Sequence, residues 1–320
     1  MNSDQTVFIH VGYPKCLSTT LQRSYFEKHP DIHYGGIGIK DNISFSSIEI
    51  EFIFECLLKY ANQRFWNSKK EWAREQLAKF IETANKRKIV FSSEHLSMNF
   101  SLQGIDNALK YDRINYLFEN FDIKSLMITR EPLSLIRSIY KEFIKMGYYE
   151  EYEAFLKWLI IFKDRNFLYD LNYELKVIEL ESFFGKGSVK EVKFDSYLRT
   201  NIKEQLNDKI SNWLSINNLN LEIQNENPSI SDSEINKLHA LNKSKRRGIG
   251  LTQLEPFEKH RNRRLYSESG LDIEESEIFQ NVLAKRIALK EVSEMTSFNF
   301  KTKDQSKLEE LAINCLKEIT

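Results

Sequence analysis

The sequence predicts an α/β protein built on a central, mainly parallel sheet flanked by helices on both faces. Three observations carry that expectation. Short runs of β-favouring residues alternate with longer stretches of helical periodicity, the pattern of strand-helix-strand units. The runs at Val7–Val11, Ile89–Ser92 and Ser125–Thr129 are mostly apolar, as in strands covered on both faces. Polar clusters follow three strand ends (Lys15 to Thr20, Ser93 to His95, and Arg130), where parallel sheets gather their ligands.

Val7-Phe8-Ile9-His10-Val11 is the first strand, ended by Gly12 and Pro14. A helix is expected from Ser18 to Lys28, stopped before Pro30 because a residue preceding proline avoids helical angles. Helical patterns follow at Ile48–Ala61 and Lys69–Ala84, the second repeating Trp72, Leu77, Phe80 and Ile81 at helical spacing. After the strands Ile89–Ser92 and Ser125–Thr129, Leu133, Ile136, Tyr140 and Phe143 form an apolar stripe. Pro132 suits its first turn and Gly147 its stop.

Another helix is expected over Tyr152–Tyr169, then strands at Val177–Leu180 and Val192–Phe194. Asp195 would cap a long helix carrying Leu198, Ile202, Leu206, Ile210 and Trp213. Beyond Asn217 the pattern turns polar and irregular, with a loop at Gln224–Asp232 and helical patterns at Glu274–Glu294 and Asp304–Ile319. All 320 residues read as one domain, with helical insertions after the first helix and a helical part from about residue 218.

Composition narrows the class. Hydrophobic content of 41% and charged content of 29% are ordinary for a soluble globular protein. Lys+Arg and Asp+Glu both number 46, so no net charge points to a nucleic-acid partner. The three cysteines, Cys16, Cys56 and Cys315, form no disulfide framework and fit a reducing compartment. No apolar run approaches the ~20 residues of a membrane span, and the first strand leaves no room for a signal peptide. A cytoplasmic enzyme is the expectation.

The first loop, Gly12 to Gln22, leads from a strand into a helix N-terminus, whose unpaired N–H groups and positive dipole end suit a phosphate. Lys15 adds a full charge; Ser18, Thr19 and Thr20 add hydroxyls. It is not a Walker A sequence, because Lys15 precedes the hydroxyl residues by three and lacks the glycine that motif requires. Cys16 at the helix start is read as a small residue facing ligand or core rather than a reactive thiolate. His29 and His33 share a four-residue spacing, but Pro30 breaks the helix that would align them, so no metal site is expected.

This loop resembles the 5′-phosphosulfate loop of PAPS-dependent sulfotransferases, which have a P-loop-like fold and typically carry a Pro-Lys-Ser-Gly-Thr-Thr pattern. Pro14, Lys15, Ser18 and Thr19 match it position by position. Cys16 replaces a serine and Leu17 a glycine, and Leu17 implies a loop with no left-handed residue there. Thr20 stands where many members carry an adenine-stacking aromatic. Arg130-Glu131-Pro132 with Ser138 resembles the family's strand-to-helix motif, in which Arg and Ser hold the 3′-phosphate; Tyr140 also fits. Val192 to Leu198 is similar to a late strand and helix of the family.

The resemblance implies transfer of a sulfuryl group from PAPS (3′-phosphoadenosine 5′-phosphosulfate) to a hydroxyl or amine. Lys15 would neutralise the leaving phosphate, while Cys16, Leu17, Ser18, Thr19, Thr20, Arg130 and Ser138 would hold the donor. Ser93-Glu94-His95 lies where the family places a catalytic Glu or His; the reading leans to Glu94, although His95 titrates nearer neutrality. Arg246-Arg247-Gly248 is similar in chemistry to a late cofactor-covering segment, which makes Arg247 a further candidate contact. The basic stretch from Lys243 to Arg264 is otherwise a solvated face or a receiver for an anionic acceptor, such as a polysaccharide or lipid head group.

Acceptor walls are expected from the segments Ile37–Arg87 and Gly147–Tyr173. Their aromatics Phe45, Phe52, Tyr148, Tyr149 and Trp158 either line a sugar or lipid site or belong to the core. The competing readings are a nucleotide kinase or other phosphoryl-transfer enzyme, and a binding module without activity.

Overall fold

The computed structural model describes residues 5–36, 47–85, 87–98, 105–145, 148–161, 163, 166–194, 202–219, 231–245 and 305–317. Among the described residues five strands form one sheet: β1 (Thr6–His10), β2 (Ile32–Tyr34), β3 (Lys88–Ser92), β4 (Asp122–Thr129) and β5 (Val189–Lys193). Their order is β2-β3-β1-β4-β5 and every pairing is parallel, as the sequence predicts. Val7 on β1 lies opposite Ile89 on one side and Ile123 on the other. Val7 to Ile9, Ile89 to Phe91 and Leu126 to Ile128 are all buried. Strands covered on both faces need apolar runs rather than alternation, which is why these three were legible.

The chain runs from β1 out to β2, back through β3, and across β1 to β4 and β5. The strand order thus reverses at β1, and the C-terminal end of such a strand is where sheets of this kind bind ligands. The Ser93 N–H donates to the His10 carbonyl and the Val11 N–H to the Leu126 carbonyl, so the ends of β3, β1 and β4 are tied side by side.

The helices follow local signals. α1 (Ser18–Leu21) continues as a wider π turn over Gln22–Phe26, close to expectation. α2 (Ile48–Phe52), a π turn at Ile53–Leu57 and α3 (Leu58–Tyr60) make up the second helical segment, opened by the Ser47 hydroxyl accepting the Ile50 N–H. α4 (Gln63–Glu82) begins before the expected Lys69, because Asn62 caps it by accepting the Phe65 N–H at 2.8 Å and Phe65 and Trp66 are already buried. α5 (Asn107–Leu117), capped by Asp106, was not anticipated, and neither was the three-residue edge strand β2. α6 (Pro132–Lys145) starts on the expected proline.

α7 (Tyr152–Ile161) is shorter than the expected Tyr152–Tyr169 and is followed by a 3₁₀ turn at Tyr169–Leu171. The expected strand at Val177–Leu180 is instead the middle of α8 (Tyr173–Phe184). Lys176, Leu180 and Phe184 are buried at four-residue spacing, whereas Ile178 is 63% exposed. On a strand Ile178 and Leu180 would share a face; on a helix they lie about 200° apart. Asn172, which accepts the Leu175 N–H, and Gly185, at φ 96°, close the two ends.

α9 (Ile202–Leu214) buries Leu206, Ile210 and Leu214. α10 (Asp232–Lys245) and α11 (Gln305–Lys317) complete the described helices. The sequence reading missed α10, although Ser231 and Glu234 form a reciprocal capping box at its start. Gly147, Asp195, Leu198, Phe45, most of the Gln224–Asp232 loop, the Glu274–Glu294 pattern and Arg246-Arg247-Gly248 lie outside the described residues.

α6 is gripped from two sides. Arg137 donates to both carboxylate oxygens of Glu309 on α11, at 3.1 and 2.9 Å. Asn242 on α10 donates to the Ile144 and Tyr148 carbonyls, at 2.8 and 3.0 Å. No helix of the described residues is long and apolar enough to cross a membrane.

Candidate functional site

The loop after β1 is built around two strained residues. Lys15 and Leu17 both have positive φ, 62° and 65°, in the left-handed region that L-residues avoid. The expectation that Leu17 removes the need for a left-handed residue is therefore overturned. The turn keeps its shape because the surroundings fix it. Tyr13 is fully buried and donates its hydroxyl to the Asp170 carbonyl at 2.7 Å, and the Ser18 hydroxyl donates to the Tyr13 carbonyl at 3.1 Å. Left-handed residues just before a helix start are how consecutive N–H groups come to line one concavity.

Space under the loop is tight. A Cβ on Gly12 would stand 2.4 Å from Nε2 of His10 and 2.8 Å from Oγ of Ser18, so only glycine fits. His10 is fully buried; its Nδ1 shares a hydrogen bond with Ser92 at 2.8 Å, and Gln22 donates to the same Ser92 hydroxyl at 2.9 Å. Burial pushes the His10 imidazole down to about 3, so it stays neutral at ordinary pH.

Arg130 directly follows β4, beside this loop. Its Nη1 donates to the Lys15 carbonyl at 3.5 Å and its Nε to the Ser134 hydroxyl at 2.9 Å. Tyr173 holds the Arg130 carbonyl at 2.6 Å, and the guanidinium lies 5.8 Å from the Phe194 ring centroid. Glu131 caps α6 by accepting the Leu133 and Ser134 N–H groups at 3.0 and 2.6 Å. That carboxylate takes the amides that would otherwise attract an anion, so the charge offered at this strand end comes from the Arg130 side chain.

Ser134, Ser138 and Glu142 recur at four-residue spacing along one half-buried face of α6. The first touches Arg130. The third forms an ion pair with Lys15, Oε2 to Nζ 2.7 Å, and the same oxygen pairs with Lys145 at 3.0 Å. Burial alone would raise the Glu142 carboxyl, but the hydrogen bonds and charges of Lys15 and Lys145 outweigh it and hold it below the usual glutamate range. Ser138 lies between the two contacts, so the face of α6 runs from one cation to the other.

The structure thus brings Lys15, Arg130 and the Ser138 face together. Ser18 and Thr20 are buried within the loop, while Thr19 and Lys15 reach its surface; Cys16 is fully buried in the core. Glu94 sits half-buried on a single 3₁₀ turn, Glu94–Leu96, directly after β3 and beside the end of β1. The side chain of His95 and all of Arg247 lie outside the described residues. Of the acceptor-wall aromatics, Phe52, Tyr148 and Trp158 belong to the core and Tyr149 is half-buried. Sequence reasoning missed Glu142, Ser134, Tyr13 and Tyr173. A signal existed for the first two, since both lie on the helical face of Ser138.

No protein-family model matches this chain, and no curated protein matches it by sequence. Among solved structures it is similar to a sulfotransferase from Alicyclobacillus acidocaldarius, at 14% identity and a TM-score of 0.44, over 75% of this chain and 93% of that one. It is also similar to mouse sulfotransferase SULT7A1 complexed with PAP, at 17% identity and a TM-score of 0.36, over 76% of this chain and 65% of that one. At these identities and scores the likeness concerns the course of the chain and assigns no role to any residue.

Proposed function

We propose that this chain is a sulfotransferase that uses PAPS and transfers its sulfuryl group to a hydroxyl-bearing acceptor. One observation carries the reading. Two cationic motifs far apart in sequence meet at adjacent strand ends, where Arg130 touches the Lys15 carbonyl and Ser138 lies on the helix face between them. A ligand with two separated anionic groups fits that arrangement, one at the Lys15 loop and one at Arg130.

Lys15 would stabilise the charge that develops on the departing phosphate, with the α1 start beside it. Arg130 and Ser138 would grip the 3′-phosphate and so set the donor's register. Glu94 would accept the acceptor's proton as its oxygen bonds to sulfur and the sulfur–phosphate oxygen bond breaks. The donor when bound supplies the activated sulfuryl group; the protein contributes alignment and charge. His95, on the same turn, is the second candidate base.

Calorimetry with adenosine 3′,5′-bisphosphate tests the donor half of this reading. Binding is expected, weakened at least tenfold by Lys15→Ala or Arg130→Ala, an effect of about 1.4 kcal/mol or more. Absence of binding by the intact protein sinks it. Glu94→Gln is expected to keep the nucleotide affinity and lower turnover about a hundredfold once an acceptor is found. Unchanged turnover would move the base assignment to His95.

A further inference from the structure

Lys15 is not idle. Its ammonium lies 2.7 Å from Oε2 of Glu142, and both side chains are partly shielded, at 26% and 32% exposure. The same carboxylate oxygen also holds Lys145 at 3.0 Å. Glu142 therefore bridges two ammonium groups, one from the strained loop after β1 and one from the last turn of its own helix. A carboxylate at hydrogen-bond distance is a direct competitor for any anion that needs Lys15.

We propose that Glu142 is an internal counter-anion that holds Lys15 when no donor is bound and must release it for the donor to bind. This rests on the sulfotransferase reading above, in which Lys15 receives the phosphosulfate group. The geometry makes the exchange balanced. When Lys15 turns to the ligand, Glu142 keeps Lys145, so no half-buried carboxylate is left unpaired. When the ligand leaves, Lys15 returns to Glu142, so its ammonium is not left without a partner.

Glu142 is thus a positioning residue that sets donor affinity through Lys15 rather than by touching the donor. Glu142→Gln keeps the size and hydrogen-bonding capacity and removes the charge. It is expected to bind adenosine 3′,5′-bisphosphate about fivefold more tightly than the unmodified protein, with slower release, the scale of a partly exposed ion pair. The gain must disappear in a Lys15→Met background, because the effect passes through that ammonium. With an acceptor in hand, KM for the donor should fall while kcat changes less.

Unchanged or weaker binding by Glu142→Gln overturns the proposal. So does a gain that persists with Lys15→Met, since it would report general charge rather than this contact. If the unmodified protein binds and only Glu142→Gln fails to differ, the donor reading stands and the counter-anion role falls. If neither protein binds, both fall together.

Discussion

Leu17 is where the loop after β1 departs furthest from its backbone's preferences. At φ 65° it holds a conformation that costs an L-residue about 1–2 kcal/mol. It is retained because its side chain packs partly against the core and because Tyr13 and Ser18 close the turn around it. Substitution should therefore follow backbone logic rather than size. Leu17→Gly relieves the strain but forfeits packing and adds unfolded-state entropy, for a net change of at most about 1 kcal/mol. Leu17→Val keeps more of the apolar surface yet is β-branched, and should destabilise by about 2 kcal/mol. Urea midpoints that rank valine above glycine would show the turn to be unstrained. Lys15, Arg130, Ser138 and Glu94 could be singled out as candidates from the sequence, because loop and motif spacing resemble a known family; their roles remain those of the proposal above. Glu142 shares the helical face of Ser138, which the sequence shows, but its pairing with Lys15 was not legible, because that partner comes from a different strand-loop unit.

α8 shows how an element is misread. Val177-Ile178-Glu179-Leu180 is a short β-favouring run, and periodicity alone does not separate such a run from a helix segment. The decisive signals stood outside it, at Asn172 and Gly185. The helix makes an ordered forecast. Leu180→Ala should cost about 2–5 kcal/mol, as a fully buried leucine does, while Ile178→Ala on the solvent side should stay within about 0.5 kcal/mol. Comparable losses at both positions, measured by denaturant unfolding, would return the segment to a strand. α6 was read correctly from its proline and its apolar stripe. What the stripe left unsaid is that the opposite, half-buried face carries Ser134, Ser138 and Glu142, and so lines the candidate site.

A buried polar network ties the site to the rest of the molecule. Asn107 on α5 donates to the Asp170 carboxylate at 2.6 Å, Lys176 on α8 pairs with that same oxygen at 3.1 Å, and Tyr13 holds the Asp170 backbone. Lys110, whose Nζ donates to Asn107 at 2.9 Å, is buried with them. Burial pushes its ammonium down to about 7; Asp170 and Asp106 oppose that shift, while Lys59 and Lys176 add to it. With a folded value below the unfolded 10.5, the unfolded chain binds more protons between about pH 7 and 10.5. Stability should therefore rise with pH across that window and reach its floor below it. Unfolding midpoints near pH 6.5 and near pH 9.5 should show the rise, and Lys110→Met should flatten it; a flat profile in the intact protein contradicts the assignment. The alternation of strands and helices, the buried central strands and the two cationic motifs followed from the amino-acid order, because each is a local pattern of periodicity or residue type. The pairing of Lys15 with Glu142, the contact of Arg130 with the Lys15 backbone and the left-handed Leu17 did not. The two contacts depend on which strand ends lie side by side, which the packed sheet order β2-β3-β1-β4-β5 sets, and the turn at Leu17 depends on the tertiary bond from Tyr13 to Asp170.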